Sequence, residues 1–180
     1  MADPFAPCDR STLEQWFDVV LDFKPHFVTE LTRPVEAIVS RSHQAAVRRA
    51  LRQVDVEVCL EPAAHLDEWV GLYDCLIQRH RIEGIRAFSR AAFARQLAVP
   101  GMVMFRATSR DGQTIGMDLW YLQGDVAYGH LAAFNARGYE LRASYATKWH
   151  TLRYFHGKAR WLELIRLTIH GIAYGMKSTG

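Results

Sequence analysis

A change in the spacing of apolar residues near the middle of the chain most constrains the fold. From residue 102 onward, apolar residues recur at every second position through three segments, 102–107, 114–122 and 126–134. Two turn sequences separate the segments, Arg110-Asp111-Gly112 and Gly124-Asp125. A period of two is typical of strands, and short turns join antiparallel neighbours. The pattern therefore predicts a three-stranded antiparallel meander.

Helical spacing lies on both sides of this meander. Upstream it predicts helices that begin at Ser42, over residues 66–80 and after Ser89, with a short strand at residues 55–60. Downstream it predicts a helix over residues 139–155 and a strand over residues 160–167. A strand, a helix and a further strand in succession form a right-handed crossover, which makes the last strand parallel to the third strand of the meander.

This order of elements predicts an α+β fold in which one mixed, mostly antiparallel sheet is flanked by helices in α/β/α layers. Residues 1–33 form a separate N-terminal arm, with a helix capped by Ser11 and stopped at Lys24-Pro25. Residues 34–180 form the domain, whose C-terminal end is atypical.

Composition and charge exclude several classes of protein. The chain has 180 residues, 49% of them hydrophobic, with a net charge of +3. These values are typical of a globular protein and do not indicate a nucleic-acid-binding domain. The three widely spaced cysteines show no metal-ligand spacing and indicate reduced thiols. We find neither a secretory leader nor an apolar run long enough to span a membrane, which predicts a cytoplasmic protein.

The segment between the third strand and the next helix, residues 134–142, reads FNARGYELR. A helix that follows a strand presents free N–H groups and a positive dipole end to an anion. Gly138 can adopt a positive φ and let the backbone approach a phosphate, while Arg137 and Arg142 offer charge-assisted hydrogen bonds. The alternative is that the glycine only makes a turn and the arginines are solvated.

Five segments together resemble the acetyltransferase-like domain of the GNAT superfamily, in the branch similar to Fem-type aminoacyl transferases. They are SRSHQAAVRRALR, LYDCLIQRH, FSRAAFARQL, GMDLWYLQGDVAYGHLAAF and RWLEL, and the resemblance covers residues 35–165. It implies transfer of an acyl group, acetyl or aminoacyl, from a thioester or ester donor to an amine. The donor is then acetyl-CoA, another acyl-CoA, an aminoacyl-tRNA or a carrier protein.

In such enzymes the amide arm of the donor lies along the strand that corresponds to residues 126–134, and the diphosphate of a coenzyme A lies on the loop after it. The residues that the resemblance places at the donor are Leu131, Ala133, Phe134, Arg137, Gly138, Tyr139 and Arg142. The usual loop has Gln or Arg, two residues, Gly, one residue, then Gly or Ala. Only Gly138 matches, because Asn135 and Glu140 occupy the first and last places. The Glu140 carboxylate would repel a diphosphate, and an aminoacyl-tRNA or carrier-protein donor depends less on this loop.

Aminolysis needs a base for the amine and stabilisation of the oxyanion. His130 is the first candidate base, Asp118 is its orienter or an alternative base, and Tyr128 is a candidate proton donor to the leaving group. A two-residue turn at 124–125 places His130 and Asp118 on opposite faces, whereas a three-residue loop sets them across from each other. The two-residue turn is chemically the better one, so we do not treat them as a dyad. A backbone N–H near residues 131–132 is the candidate oxyanion donor.

Two other functions stay open. One is a catalytically inactive binding module that keeps the fold, which Glu140 and the short C-terminal tail favour. The other is an RNA-contacting domain that uses the arginines around Val47, namely Arg41, Arg48, Arg49 and Arg52. The acceptor alternatives are a peptidoglycan precursor, a polysaccharide amine, a protein N-terminus and a small amine, and a monomer, a homodimer and pairing with a second similar domain are all open.

Overall fold

The structure is a computed structural model that describes residue 5 and residues 9–21, 26–84 and 87–165. Its helices are α1 (Arg10–Trp16), α2 (Val35–Ile38), α3 (Arg41–Ala50), α4 (Leu66–His80), α5 (Arg90–Leu97), α6 (Ala136–Glu140) and α7 (Ala143–Phe155). Its strands are β1 (His26–Glu30), β2 (Val54–Cys59), β3 (Met102–Ser109), β4 (Thr114–Gln123), β5 (Val126–Phe134) and β6 (Trp161–Ile165). A 3₁₀ turn, Pro62–His65, leads into α4.

The strands form one six-stranded sheet in the order β1-β6-β5-β4-β3-β2. Strands β3, β4 and β5 pair antiparallel in succession, as the period of two predicts. Strand β6 pairs parallel to β5 after the α7 crossover, which confirms the predicted direction of the last strand. The fold class is therefore the predicted α+β arrangement of one mixed sheet flanked by helices.

Two layers of helices cover the two faces of the sheet. Alternate residues of β3 enter different cores: Met104 packs with residues of α4 and α5, whereas Phe105 packs with residues of α7. We call these sides the α4 face and the α7 face. Alternation along a strand makes the two cores possible, because successive side chains point to opposite sides of the sheet.

Two helix boundaries differ from the prediction. The N-cap of α1 is Asp9 rather than Ser11, because the Asp9 carboxylate accepts a hydrogen bond from the Thr12 N–H at 2.9 Å. The helix predicted over residues 139–155 is interrupted, since α6 ends at Glu140 and α7 begins at Ala143. Between them Arg142 has a φ of 56° and turns the chain.

A strand that the sequence did not indicate completes one edge of the sheet. Residues 26–30, which the prediction places in the N-terminal arm, pair antiparallel with β6. Leu31 then donates its N–H to the Arg160 carbonyl at 2.8 Å and is buried. Helix α1 buries none of its residues. The predicted stop at Lys24-Pro25 and the last two residues of the predicted strand 160–167 lie outside the described residues.

Candidate functional site

An irregularity in β5 places His130. Gln123 pairs with Val126, so the turn between β4 and β5 has two residues, as predicted. The register then shifts, because Trp120 pairs with Gly129 whereas Leu119 pairs with Leu131. His130 is the extra residue of this β-bulge and has no directly opposite residue in β4. Bulges re-aim side chains, and they are over-represented next to active sites.

The imidazole of His130 lies on the α4 face. Its Nε2 is 3.0 Å from Oε1 of Gln96 on α5, and its ring centroid is 5.1 Å from that of Tyr121. With Nε2 donating to the amide oxygen, the lone pair that accepts a proton is on Nδ1. Burial lowers the pKa of His130 below its usual value of 6.5. The imidazole is therefore neutral at neutral pH, the form that a general base needs.

Asp118 lies on the α7 face, opposite to His130. Its carboxylate is 2.7 Å from the ammonium group of Lys148 on α7, and the residue is only 2% exposed. The Lys148 nitrogen also lies 4.5 Å from the centre of the Trp120 ring. The sheet separates Asp118 from His130, so Asp118 does not orient the imidazole. Gln96 is the residue that contacts the imidazole instead.

Tyr128 shares the α4 face with His130. It lies directly across from Tyr121 on β4 and beside Glu163 on β6, and all three side chains point to the same side of the sheet. Glu163 is 1% exposed. Together with Gln96 and His130, these residues form a polar cluster at the middle of β5.

The prediction missed three members of this polar cluster. Glu163 is the one acid in the apolar run WLELI, and an acid in such a run is a signal that could have identified it. Tyr121 follows from the register of a two-residue turn, since that turn sets it across from Tyr128. No sequence pattern marks Gln96 as a member of the cluster, because its contact with His130 depends on how α5 packs against the sheet.

Among the residues up to 165, no strand pairs with one edge of β5 over the second half of the strand. Strand β5 pairs with β4 as far as Phe134, but within the described residues it pairs with β6 only from Val126 to Gly129. Backbone N–H and C=O groups alternate between the two edges of a strand. In the described part of the chain, residues 130–134 therefore present backbone hydrogen-bonding groups that no strand satisfies, next to the His130 imidazole.

The predicted donor residues of β5 do not offer side chains to a ligand. Ala133 is buried in the core of the α4 face, where Leu131 also packs, and Phe134 is buried in the core of the α7 face. A ligand beside these residues would meet their backbone groups. The sequence could predict the position of the strand, but it could not predict that a ligand would meet backbone groups rather than side chains.

Gly138 has a conformation different from the one that the sequence suggested. It lies within α6, its φ is not positive, and its N–H is already accepted by Oδ1 of Asn135 at 2.9 Å. A Cβ at this position would lie 2.2 Å from the Ile115 carbonyl oxygen. The glycine is needed because α6 packs against the backbone of β4. The expected positive φ is wrong, whereas the place of Gly138 in a donor loop stays a prediction.

The neighbours of Gly138 make contacts of their own. Arg137 and Glu140 form an exposed ion pair at 2.9 Å. The guanidinium of Arg79 lies 4.1 Å from the centre of the Tyr139 ring. Burial raises the pKa of Tyr139, and nearby Arg79 opposes that shift. Arg137 therefore offsets the charge of Glu140.

The N-terminus of α7 is the second helix start in this region. Arg142, its N-cap, is exposed and makes no side-chain cap hydrogen bond. The first turn of α7 therefore directly follows an exposed arginine, near the C-terminal end of β5. An anion placed here would meet both the helix dipole and Arg142.

Helix α3 brings further positive charge to this end of the sheet. Its His43 ring stacks on that of Tyr145, in the first turn of α7, with centroids 6.0 Å apart. The arginines predicted to contact RNA are all exposed on or just after α3, namely Arg41, Arg48, Arg49 and Arg52. By contrast, a shallow depression between Leu31 and the turn at 156–160 lies at the opposite end of β5 and β6.

The comparisons with known proteins agree with this architecture. Residues 40–168 match the Acetyltransferase (GNAT) domain family. The match covers most of the chain, and the chain belongs to this family. The predicted resemblance to the GNAT superfamily is thereby confirmed. No curated protein sequence matches the chain.

Three solved structures have a similar fold at low sequence identity. FemX has a TM-score of 0.66 at 10% identity, covering 83% of this chain and 55% of FemX. The C-terminal domain of a putative lysylphosphatidylglycerol synthetase from Agrobacterium fabrum has a TM-score of 0.62 at 13% identity, covering 78% and 46%. L-PGS from Bacillus licheniformis has a TM-score of 0.57 at 11% identity, covering 83% and 50%. The chain thus spans about half the length of these structures.

A membrane span is not found among the helices that the structure describes, since none is both long and apolar enough. The cytoplasmic location stays a prediction.

Proposed function

We propose that the chain is an N-acyltransferase that moves an acyl group from a thioester or ester donor to an amine. Membership of the Acetyltransferase (GNAT) domain family supports this class of reaction. The observation that carries the proposal is the edge of β5 beyond Gly129, with which no strand pairs within the described residues, with the His130 imidazole at its start. An extended amide arm binds such an edge by adding backbone hydrogen bonds.

His130 is the proposed base. The amine must lose a proton as it attacks the acyl carbon, and Nδ1 of a neutral His130 accepts that proton. The bond from the acyl carbon to the donor sulfur or oxygen then breaks. The Tyr128 hydroxyl is the proposed donor of the proton that the leaving group takes up, and a free backbone N–H near residues 131–132 is the proposed oxyanion contact.

Asp118 has no step in this mechanism. The Lys148 ammonium engages its carboxylate, and α7 covers it on the other face of the sheet. The ion pair joins strand β4 to helix α7.

A coenzyme A donor would place its phosphates at the first turn of α7 rather than at Gly138. Arg142 supports this, because its side chain is exposed beside that turn. Glu140 opposes it less than its charge suggests, because Arg137 is paired with it. Leu131, Ala133, Phe134 and Tyr139 would contribute backbone groups or packing rather than direct side-chain contacts to the phosphates.

Donor binding can be measured by isothermal titration with acetyl-CoA. We expect Arg142→Gln to weaken binding about tenfold, because a charge-assisted hydrogen bond contributes on the order of 1.5–3 kcal/mol. Glu140→Gln is expected to strengthen it. Arg153→Gln, an exposed arginine at the other end of α7, is the control and should change nothing. Absence of any binding would argue against acyl-CoA as the donor.

The base is tested by acyl transfer to a panel of small amines. His130→Ala should lower kcat by about 100-fold or more with little change in KM, as expected for loss of a general base. His150→Ala is the matched control, because burial lowers the pKa of that histidine too but it lies on α7. Equal turnover in the two variants would remove His130 from the mechanism. Donor binding without transfer to any amine would favour the inactive binding module.

An RNA-linked aminoacyl donor is the second candidate. The exposed arginines of α3 lie on the helix whose His43 stacks on the first turn of α7, so they extend the positive surface at the donor end. One of the similar folds is a domain of a putative lysylphosphatidylglycerol synthetase, whose name is consistent with an aminoacyl substrate. Binding of tRNA with a steep salt dependence, reduced in an Arg48→Gln/Arg49→Gln variant, would support this donor, and a flat dependence would exclude it.

A further inference from the structure

A second group of chemically active side chains lies at the β2 edge of the sheet, away from the polar cluster on β5. Glu57, Cys59 and His65 each bring one potential ligand atom to within 4.8 Å of the others. The oxygen, sulfur and nitrogen atoms they offer form the mixed ligand set that borderline divalent ions prefer. We propose that these three residues bind a Zn²⁺-class ion that clamps strand β2 to the start of α4.

Local structure brings the three ligands together. Glu57 and Cys59 are two residues apart on β2, so their side chains point to the same side of the strand. The chain then turns at Pro62, the first residue of the 3₁₀ turn, and this turn carries His65 back toward the strand. Cys59 and His65 are too widely separated for a recognised ligand motif, which explains why residue spacing did not predict a metal site.

Surrounding residues hold the ligands in place. Nδ1 of His65 is 3.2 Å from Oε1 of Glu68, and Arg106 lies 2.7 Å from Glu57 and 2.9 Å from Glu68. Thr114 donates its hydroxyl to the same Glu68 oxygen that Arg106 contacts. A carboxylate beside a ligating histidine is the usual outer partner in zinc sites, where it fixes the ring. Arg106 engages Oε1 of Glu57, so that bond leaves the other carboxylate oxygen available.

The charges of the group suit a divalent cation. Glu57 and Glu68 outweigh Arg106 by one negative charge, and the Cys59 thiol is neutral until a metal replaces its proton. When the ion binds, the thiol proton passes to water and the sulfur bonds the metal as a thiolate. The ion brings two positive charges and the lost proton removes one, so the charges of the ion, the thiolate, the two carboxylates and the guanidinium sum to zero.

Three protein ligands leave one position of a tetrahedral ion for water. The ion would stabilise an edge strand, because β2 has β3 on one side only. The site neither uses nor requires the residues proposed for acyl transfer, so it stands independently of that function.

The test uses Co²⁺ as a spectroscopic substitute for Zn²⁺, on the full chain with Cys8→Ser and Cys75→Ser, so that Cys59 is the only thiol. We expect one Co²⁺ per chain, with a thiolate-to-cobalt charge-transfer band that Zn²⁺ displaces. Adding Cys59→Ser should abolish the band. Glu57→Gln and His65→Gln should each weaken Zn²⁺ binding at least about tenfold, as loss of metal-site residues commonly does.

Three results would overturn the proposal: no thiolate band in the chain that keeps Cys59, a band that persists after Cys59→Ser, or unchanged Zn²⁺ affinity in both Glu57→Gln and His65→Gln. Circular dichroism of each metal-free variant shows whether it is folded. If the buried Cys59→Ser variant does not fold, the exposed Glu57 and partly exposed His65 variants decide the outcome.

Discussion

The carbonyl oxygen of Ile115 lies where Gly138 would carry a side chain. The distance from that oxygen to an added Cβ is 2.2 Å, and Cβ of Phe134 would be 3.2 Å away. Neither neighbour moves easily. The Ile115 oxygen belongs to the backbone of β4, an interior strand of the sheet, and the Phe134 side chain is buried. A single methyl group at residue 138 therefore forces α6 away from β4.

Replacement of Gly138 by alanine should destabilise the protein by about 2–3 kcal/mol, the range for overpacking at a rigid site. Gly71→Ala is the matched control, since a Cβ there meets nothing within 4 Å and the residue lies inside α4. That control should stabilise by about 0.5–1 kcal/mol, because alanine favours a helix more than glycine does. Urea unfolding measures both. Similar stabilities in the two variants would contradict the close packing.

His130 should also make the stability depend on pH. Its pKa is lowered in the folded state, so between that pKa and the unfolded value near 6.5 the unfolded chain binds more protons. The contribution of His130 to the free energy of unfolding should therefore be complete above pH 6.5. It should be lost as the pH falls below 6.5 and through the folded pKa. His150, whose pKa burial also lowers, acts in the same direction.

Urea unfolding at a series of pH values below 7 tests this dependence. The His130→Gln variant should lose part of the decline, and His130→Gln/His150→Gln should lose more of it. A decline that both substitutions leave unchanged would show that other groups cause it. NMR titration of the His130 ring gives the folded pKa directly, and a value at or above 6.5 would contradict its burial.

Strand β4 and helix α7 are joined by the Asp118–Lys148 ion pair. The pair is 2.7 Å long and lies beneath α7, with Asp118 fully covered. An ion pair in such a place contributes little net stability, because desolvation of both charges offsets their attraction. Removal of one partner is different, since it leaves the other charge buried and uncompensated.

Lys148→Met should therefore destabilise the protein by about 3–5 kcal/mol. The double variant Asp118→Leu/Lys148→Met should recover most of that loss, because no buried charge remains. Arg137→Met, which breaks an exposed pair, is the control and should cost about 0–1 kcal/mol. Chemical denaturation of the four proteins checks the series. A double variant no more stable than Lys148→Met would show that the uncompensated Asp118 charge does not cause the loss.

At the level of the elements, spacing and capping predicted most of what the structure shows. The seven-residue stripe beginning at Leu66 predicted α4, and the Ser89 cap predicted α5, because both signals are local. Strand β1 escaped prediction because five residues with no regular alternation became a strand only by pairing with β6. The break between α6 and α7 at Arg142 was not predicted either. The helical spacing of apolar residues continues across it, although the backbone turns there.

At the scale of the whole molecule, the candidate site depends on contacts that spacing cannot report. Residue type and strand position made His130 the candidate base, which stays a proposal, and the two-residue turn predicted its separation from Asp118. Its contact with Gln96 joins elements 34 residues apart and depends on the bulge in β5. The cluster at Glu57 is similar, because a 3₁₀ turn rather than a periodic element brings His65 to the strand.

The contribution of the N-terminal segment to the fold should change sharply within a few residues. Helix α1 buries nothing, and Phe5 reaches the sheet through ring contacts with Tyr128 and Trp161 at about 6 Å. Deletion of residues 1–21 should therefore cost only about 1–2 kcal/mol, the contribution of an aromatic contact. Deletion of residues 1–31 should cost several kcal/mol more, because it removes β1, exposes the edge of β6 and takes away the buried Leu31. Urea unfolding of the two truncated chains measures the difference. Equal stabilities would mean that β1 adds nothing to the sheet, and unfolding of the shorter deletion would mean that residues 1–21 belong to the core of the domain.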